Sequence, residues 1–336
     1  MVAQSEKRVV PSRRAVLRIL AAGGAAGVAW KLGLFERFRG QAITRSRMLM
    51  GTMVNLTVLG DRDEAAAAAE STLARMAELE ALLSRHRDDS ELSRLSATGR
   101  VDAPSRALLE VLRLADRVSG MGDGAFDVSV QPVLDLYGGN QPLPAQEAIE
   151  HAVGSVDHRA LRISDDVIEL SRPGMRLTLD GVGKGYIVDR GLEVLRDRGF
   201  NNVFVEAGGD LVASGRRDGS VPWRVGIRHP RAGFSLQARF DASDIAVATS
   251  GDYMQAYTED YSRHHIVDPR TGRSAPELAS STVIAPNAAT ADALSTLTLV
   301  LGPRAGRDLL ETLPGCEGYF VSKQLEITRT TGFLTA

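Results

Sequence analysis

Apolar positions along this chain fall into two alternating rhythms, and each rhythm predicts an element. Residues 53–59 alternate apolar and polar, with Val54, Leu56 and Val58 on one side, the pattern of a half-buried strand. An Ala/Glu-rich run at 62–83 then repeats at helical spacing, followed by helices at 104–118 and 146–153. A hairpin is predicted over 161–170, with Ser164-Asp165-Asp166 as its turn. A strand at 175–179 leads through a glycine-rich turn into a helix at 184–198. The block 202–247 is strand-rich, with segments at 203–205, 223–227 and 245–247. Leu294, Leu297, Val300 and Leu301 recur at helical spacing within 289–301, and a helix at 304–313 and two closing strands complete the series. This order predicts an α/β (α+β) fold: two intimately joined subdomains with mixed sheets flanked by helices, softly divided near the linker-like stretch 138–144.

Length changes the picture little, because 336 residues suit one large or two fused α/β units. Charge changes it more. Residues 1–40 hold eight Lys/Arg against two Asp/Glu, or +6, which leaves −8 of the formal −2 total for the rest. A mildly acidic body without a basic, aromatic-interleaved run argues against nucleic-acid binding. The basic head, Ser12-Arg13-Arg14-Ala15-Val16-Leu17-Arg18 and then an apolar stretch at 19–30, is similar to a twin-arginine export signal with Val in place of the usual Phe. That stretch is shorter than the ~20 residues a stable spanning helix needs. Residues 1–36 are therefore expected to act as a signal for the twin-arginine translocon or as a retained anchor, putting the body in the periplasm or on the outer face of the cytoplasmic membrane. Cys316 is the sole cysteine, so cysteine usage says nothing about compartment.

Candidate chemistry concentrates in three strings. His264-His265-Ile266-Val267-Asp268-Pro269-Arg270-Thr271-Gly272 sets imidazoles beside a turn. Asp292 and Thr296, four apart on one helical face, offer a carboxylate and a hydroxyl that suit an oxygen-seeking cation such as Mg²⁺; the same pair also suits a helix whose N-terminus favours Asp292 and uses Thr296 as a spacer. Leu179-Asp180-Gly181-Val182-Gly183-Lys184-Gly185 joins strand to helix, where free N–H groups can face a phosphate. It is neither a Walker loop nor a dinucleotide fingerprint, so a reading in which the glycines merely permit a tight turn survives.

From about Met48 onward the chain resembles the ApbE family of FAD:protein FMN transferases. The collinear blocks are Met50-Gly51-Thr52, Asp89-Ser90-Glu91-Leu92-Ser93-Arg94-Leu95, Gly124-Ala125-Phe126-Asp127-Val128-Ser129-Val130-Gln131-Pro132, Gly183-Lys184-Gly185-Tyr186, Gly208-Gly209-Asp210, Ala248-Thr249-Ser250-Gly251-Asp252-Tyr253, and the His265 and Asp292 strings. The resemblance implies an ApbE-like (T-fold-like) domain over 44–336. It implies a Mg²⁺-dependent reaction in which FAD donates FMN to a Ser or Thr hydroxyl of a target protein and AMP leaves. The export head is similar to that of a NosX-like subgroup, which would make the target a membrane flavoprotein of an electron-transfer or nitrous-oxide-reductase system.

Carried over by position, the resemblance puts the metal on Gly183 (through its carbonyl), Asp292, Ser295 and Thr296. It puts the flavin nucleotide against Met50, His86, Ala125, Phe126, Asp127, Asp180, Tyr186 and Ile266. His265 becomes the base that takes the acceptor proton, with Asp268 orienting it or binding a second metal, and His264 is the competing base. His86, Ser96, Tyr137 and Thr178 depart from the family pattern around the flavin and adenine. Two other functions share these residues: a metal-dependent FAD pyrophosphatase releasing FMN and AMP, and a non-catalytic periplasmic flavin-binding protein.

Overall fold

A computed structural model describes residues 42–137, 144–233 and 235–333. The expected export head, and all of the predicted boundary but Pro144, lie outside these residues. In chain order the elements are β1 (Ala42–Leu49), β2 (Thr52–Leu59), α1 (Arg62–Leu83), α2 (Glu91–Thr98), β3 (Arg100–Asp102), α3 (Arg106–Met121), α4 (Gln131–Leu134), α5 (Gln146–Val153), β4 (Leu161–Ile163), β5 (Val167–Leu170) and α6 (Gly183–Asp197). There follow β6 (Val203–Ala207), β7 (Asp210–Ser214), β8 (Trp223–Arg228), β9 (Leu236–Ala242), β10 (Ile245–Gly251), β11 (Val267–Asp268), β12 (Arg273–Ser274), β13 (Leu278–Ala285), α7 (Ala288–Leu310), β14 (Glu317–Ser322) and β15 (Ile327–Arg329).

Helices start where a short polar side chain can take the first free N–H groups. Asp61 accepts from Asp63 and Glu64, Ser90 from Ser93, Ser105 from Leu108, and Asn287 from Thr290. α7 joins the two helices predicted at 289–301 and 304–313 across a kink at Gly302, whose φ of 81° and ψ of 175° leave the helical region just before Pro303.

The α+β class expected from the sequence is the one observed. Eight strands form one sheet in the order β1-β2-β6-β7-β10-β13-β14-β15. One detail differs from expectation: these pairings and those of the three small sheets are antiparallel, not mixed. The strand predicted at 175–179 does not form; that segment is held by one parallel bridge, Val130 to Arg176.

One face of the large sheet carries the main core, where Leu56, Leu73, Met76, Leu112, Leu294, Leu297 and Phe320 pack under the helices. The β8–β9 hairpin covers the other face with Trp223, Val225 and Phe240 against Leu211, Val247 and Tyr319. β13 lies near the sheet centre and all eight of its residues are buried, so it has no polar face to alternate with, and periodicity did not reveal it. Among the described residues no helix is long and apolar enough to cross a membrane.

Candidate active site

The site forms where α6 and α7 meet at their N-terminal ends. Gly185 lets the two backbones touch: a Cβ there would lie 2.2 Å from the Ala288 carbonyl oxygen. The same glycine donates its N–H to Asp292 Oδ2 at 3.0 Å. One turn on, both carboxylate oxygens of Asp189 accept from Ala288 and Ala289, at 2.8 Å each, so α6 caps α7 from outside. These contacts fix the first turn of α7, and with it the direction of Asp292 and Thr296.

Beside them opens a cavity of about 270 Å³ lined by Ala125, Phe126, Asp127, Asp180, Gly181, Lys184, His265, Ile266, Asp292 and Thr296, with Arg85, Thr249, Ser250, Met254 and Gln255 around them. Asp292 is 3 % exposed, and burial together with the charge of Asp210 pushes its carboxyl well above the usual range. Lys184 and the Gly185 N–H act in the opposite direction. Lys184 is not the solvated lysine a helix face suggests, for it forms a salt bridge to the buried Asp210. Burial disfavours its charge, but Asp210 and Asp292 outweigh burial and hold the ammonium above its ordinary pKa.

Two buried carboxyl groups face one ammonium at the cavity wall, so the charged form of Asp292 would gain from a further cation there. Asp292 Oδ1 accepts no hydrogen bond among the described residues, and Thr296 offers a hydroxyl one turn away. This donor set fits a hard divalent ion, which binds oxygen and needs few protein ligands when substrate phosphates supply the others. Among the described residues no group of three or more His, Cys, Asp and Glu side chains could hold a metal.

The two histidines separate cleanly. His264 is buried with both ring nitrogens engaged: Nε2 donates to the Ala275 carbonyl at 3.0 Å and Nδ1 accepts from Ile266 N at 3.3 Å. His265 lines the cavity, and its Nδ1 donates to the Gln255 carbonyl at 3.2 Å. A carbonyl only accepts, so the neutral ring carries its proton on Nδ1 and leaves the Nε2 lone pair available. Desolvation in the cavity wall is the main cause that lowers the His265 pKa to about 4, with the neighbouring His264 ring acting in the same direction.

Several expected residues stand elsewhere. Asp268 does not orient His265; it grips Arg270 with both oxygens, at 2.9 and 2.8 Å, and the Gln255 carbonyl orients the ring instead. Ser295 turns its hydroxyl back to the Asp292 carbonyl at 2.9 Å and does not line the cavity, whereas Ser250 does. Tyr186 faces α3, donating to Glu110 at 2.8 Å, with Arg190 over its ring. His86 is exposed, and its neighbour Arg85 reaches the cavity through a 2.8 Å salt bridge to Asp180. Met50, at φ 51°, is held by its N–H to Glu80 at 2.7 Å and does not line the cavity. Gly183 opens α6 between the lining residues Gly181 and Lys184.

Asp127 does line the cavity, but its oxygens are filled from within the chain. It accepts from Ser129 N at 2.8 Å, Ser129 Oγ at 2.7 Å and His158 N at 2.7 Å, so the partners a buried carboxylate needs come from backbone and hydroxyl groups of the chain itself. Ser96 and Thr178, two of the departures from the family pattern, accept backbone N–H groups of Leu177 and Asp180 at 3.1 Å and shape the strand-to-helix turn. Arg85, Ser250 and Gln255 went unassigned in the sequence, although Ser250 sits in one of the quoted blocks.

Comparison with known proteins agrees with this geometry. A family model described as the ApbE family matches residues 50–320. An FAD:protein FMN transferase of Vibrio cholerae is 33 % identical over 241 residues, covering 68 % of this chain and 72 % of that protein. One of Haemophilus influenzae is 32 % identical over 290 residues, covering 81 % and 84 %. Among solved structures, the ApbE protein of Thermotoga maritima superposes with a TM-score of 0.80 at 29 % identity, over 87 % of this chain and 97 % of that one. The flavin transferase ApbE of Vibrio cholerae gives 0.78 at 29 % identity, over 88 % and 98 %.

Proposed function

Since the chain belongs to the ApbE family, we propose that it is an FAD:protein FMN transferase, moving FMN from FAD to a Ser or Thr hydroxyl of a target protein with release of AMP. The observation that carries this reading is the pairing of Asp292 and Thr296 on one wall of a cavity that His265 also lines. The acceptor oxygen forms a bond to the FMN-side phosphorus, the bond from that phosphorus to the bridging oxygen breaks, and AMP departs with the bridging oxygen. A neutral alcohol is a poor nucleophile, so its proton goes to His265 Nε2 as the new bond forms.

Asp292, Thr296 and the Gly183 carbonyl are the groups that would hold Mg²⁺, which when bound supplies charge neutralisation at the pyrophosphate. Lys184, paired with Asp210, lines the same wall and would present its ammonium to the phosphates of a bound nucleotide. Asp180, set by Arg85, lines the approach together with Ala125, Phe126 and Ile266. The burial that lowers the pKa of His265 keeps the ring neutral through the physiological range, so its Nε2 is free to take a proton, although as a weaker base than an exposed imidazole.

The setting is part of the proposal: the twin-arginine head would deliver the folded enzyme to the periplasm or the outer membrane face, where its target would be an exported or membrane flavoprotein. Incubating the full chain with FAD, Mg²⁺ and a candidate acceptor, then weighing the acceptor, tests the reaction. An acceptor heavier by one FMN phosphoester, with AMP in equal amount, is expected. Free FMN with an unchanged acceptor would instead mark a pyrophosphatase, and intact FAD a flavin carrier. Fusing residues 1–36 to a folded reporter and following its export with and without a working twin-arginine translocon tests the location.

A further inference from the structure

Three hydroxyls meet between the end of β10 and the head of α7, those of Ser250, Ser295 and Thr296. Each has a single proton to donate, and that fixes the direction of every contact among them. Ser295 Oγ lies 2.9 Å from the Asp292 carbonyl, which can only accept, so the Ser295 proton is used there. In the 2.8 Å contact between Ser250 and Ser295 the donor is therefore Ser250. With its proton given to Ser295, Ser250 must be the acceptor in its 3.0 Å contact with Thr296. The Thr296 proton thus points toward β10.

Thr296 has no competing use for that proton. A threonine inside a helix commonly donates to the carbonyl one turn back, as Thr298 does to Leu294 at 2.7 Å. Thr296 makes no such bond among the described residues. Room in front of its oxygen comes from Gly181, where an added Cβ would lie 3.0 Å from Thr296 Oγ1.

We propose that Ser250 is a positioning residue for the cation site: by taking the Thr296 proton it leaves both lone pairs of Thr296 Oγ1 unclaimed on the cavity side, next to Asp292 Oδ1. A hard divalent ion then meets an oxygen that gives up no hydrogen bond on ligation. The one-way chain Thr296 to Ser250 to Ser295 to the Asp292 carbonyl ties the orientation of one ligand to the backbone of the other. This inference rests on the reading of Asp292 and Thr296 as cation ligands.

Ser281 supplies a matched control, because its hydroxyl contacts Thr298 at 2.7 Å between β13 and α7, buried and outside the cavity lining. The test is Mn²⁺ affinity of the full chain, read from the free-ion electron paramagnetic resonance signal without FAD. Ser250→Ala is expected to weaken binding roughly tenfold, as removal of a group that orients a metal ligand does, whereas Ser281→Ala leaves it unchanged and Ser250→Thr, which keeps the hydroxyl, restores it. Wild-type affinity in Ser250→Ala alongside lost affinity in Asp292→Ala overturns the positioning role alone. Equal weakening in Ser250→Ala and Ser281→Ala overturns it as well. Wild-type affinity in Asp292→Ala overturns the cation reading and the positioning role together.

Discussion

Gly185 donates its backbone N–H to Asp292 Oδ2 at 3.0 Å, at the point where α6 and α7 pass too closely for any side chain. One residue therefore sets both the spacing of the two helices and the aim of the carboxylate on the second.

Gly185→Ala is expected to destabilise the protein by about 2–3 kcal/mol, the usual cost of overpacking against atoms that cannot move aside. The obstructing atoms are backbone, the Ala288 carbonyl at 2.2 and 2.5 Å and Ala289 N at 2.8 Å. Urea unfolding measures the loss, and Mn²⁺ binding by the fraction still folded should fall as well, because Asp292 loses its backbone partner.

Gly181→Ala separates site from fold. Its Cβ would stand 3.0 Å from Thr296 Oγ1 and 3.2 Å from Phe126 Cε2, both facing the cavity. Stability should fall by about 1 kcal/mol, because the Thr296 and Phe126 side chains must give by a few tenths of an ångström to admit the methyl group. FAD affinity, followed by flavin fluorescence, should drop, and an unchanged affinity would show that this corner of the cavity is not used.

Asp189→Ala removes the acceptor of two helix N–H groups on Ala288 and Ala289. Leaving both unpaired should cost about 1–3 kcal/mol in thermal or urea unfolding. Asp189→Asn keeps one oxygen acceptor and should fall between wild type and Ala.

The pH dependence of stability should carry the mark of His265. Its folded pKa is lowered to about 4 from 6.5, with burial as the main cause. Between these values the unfolded chain binds the proton and the folded chain does not, so this group makes stability rise as pH increases from about 4 to about 6.5. Urea unfolding at several pH values should show a shallower rise in His265→Gln. The acid limb of FMN transfer should likewise not begin at the pKa of an ordinary imidazole.

Asp252 is fully buried and its charge is met by Arg231, at 2.7 Å to each oxygen. Arg231 also stacks 4.0 Å over the Tyr261 ring, so it straps both ends of the segment that carries Met254 and Gln255 and leads to His265. Arg231→Ala should cost about 2–3 kcal/mol, because the buried Asp252 loses its bidentate partner and keeps only the looser ion pair to Lys323 at 3.9 Å. In assays on the folded fraction, transfer should fall more than FAD affinity, because the His265 side of the cavity loosens while the α7 side stays in place.

Local signals in the sequence carried much of this protein. The helical recurrence of Leu294, Leu297 and Val300 and the Ser164-Asp165-Asp166 turn act within a few residues, so the elements they govern were legible. The spacing of Asp292 and Thr296 was legible for the same reason, since a helix brings residues four apart to one face. Tertiary structure alone decided the rest. β13, buried on both faces, loses the alternation that marks a strand, and its neighbours in the sheet come from distant parts of the chain. His264 and His265 look equivalent in one dimension; a carbonyl from Ala275 and another from Gln255 decide which ring nitrogen is left for chemistry. Asp268 was expected to orient His265 and Ser295 to join the metal ligands, yet Arg270 and the Asp292 carbonyl satisfy them first. A polar side chain serves whichever partner the fold brings within about 3 Å, and residue order does not encode that distance.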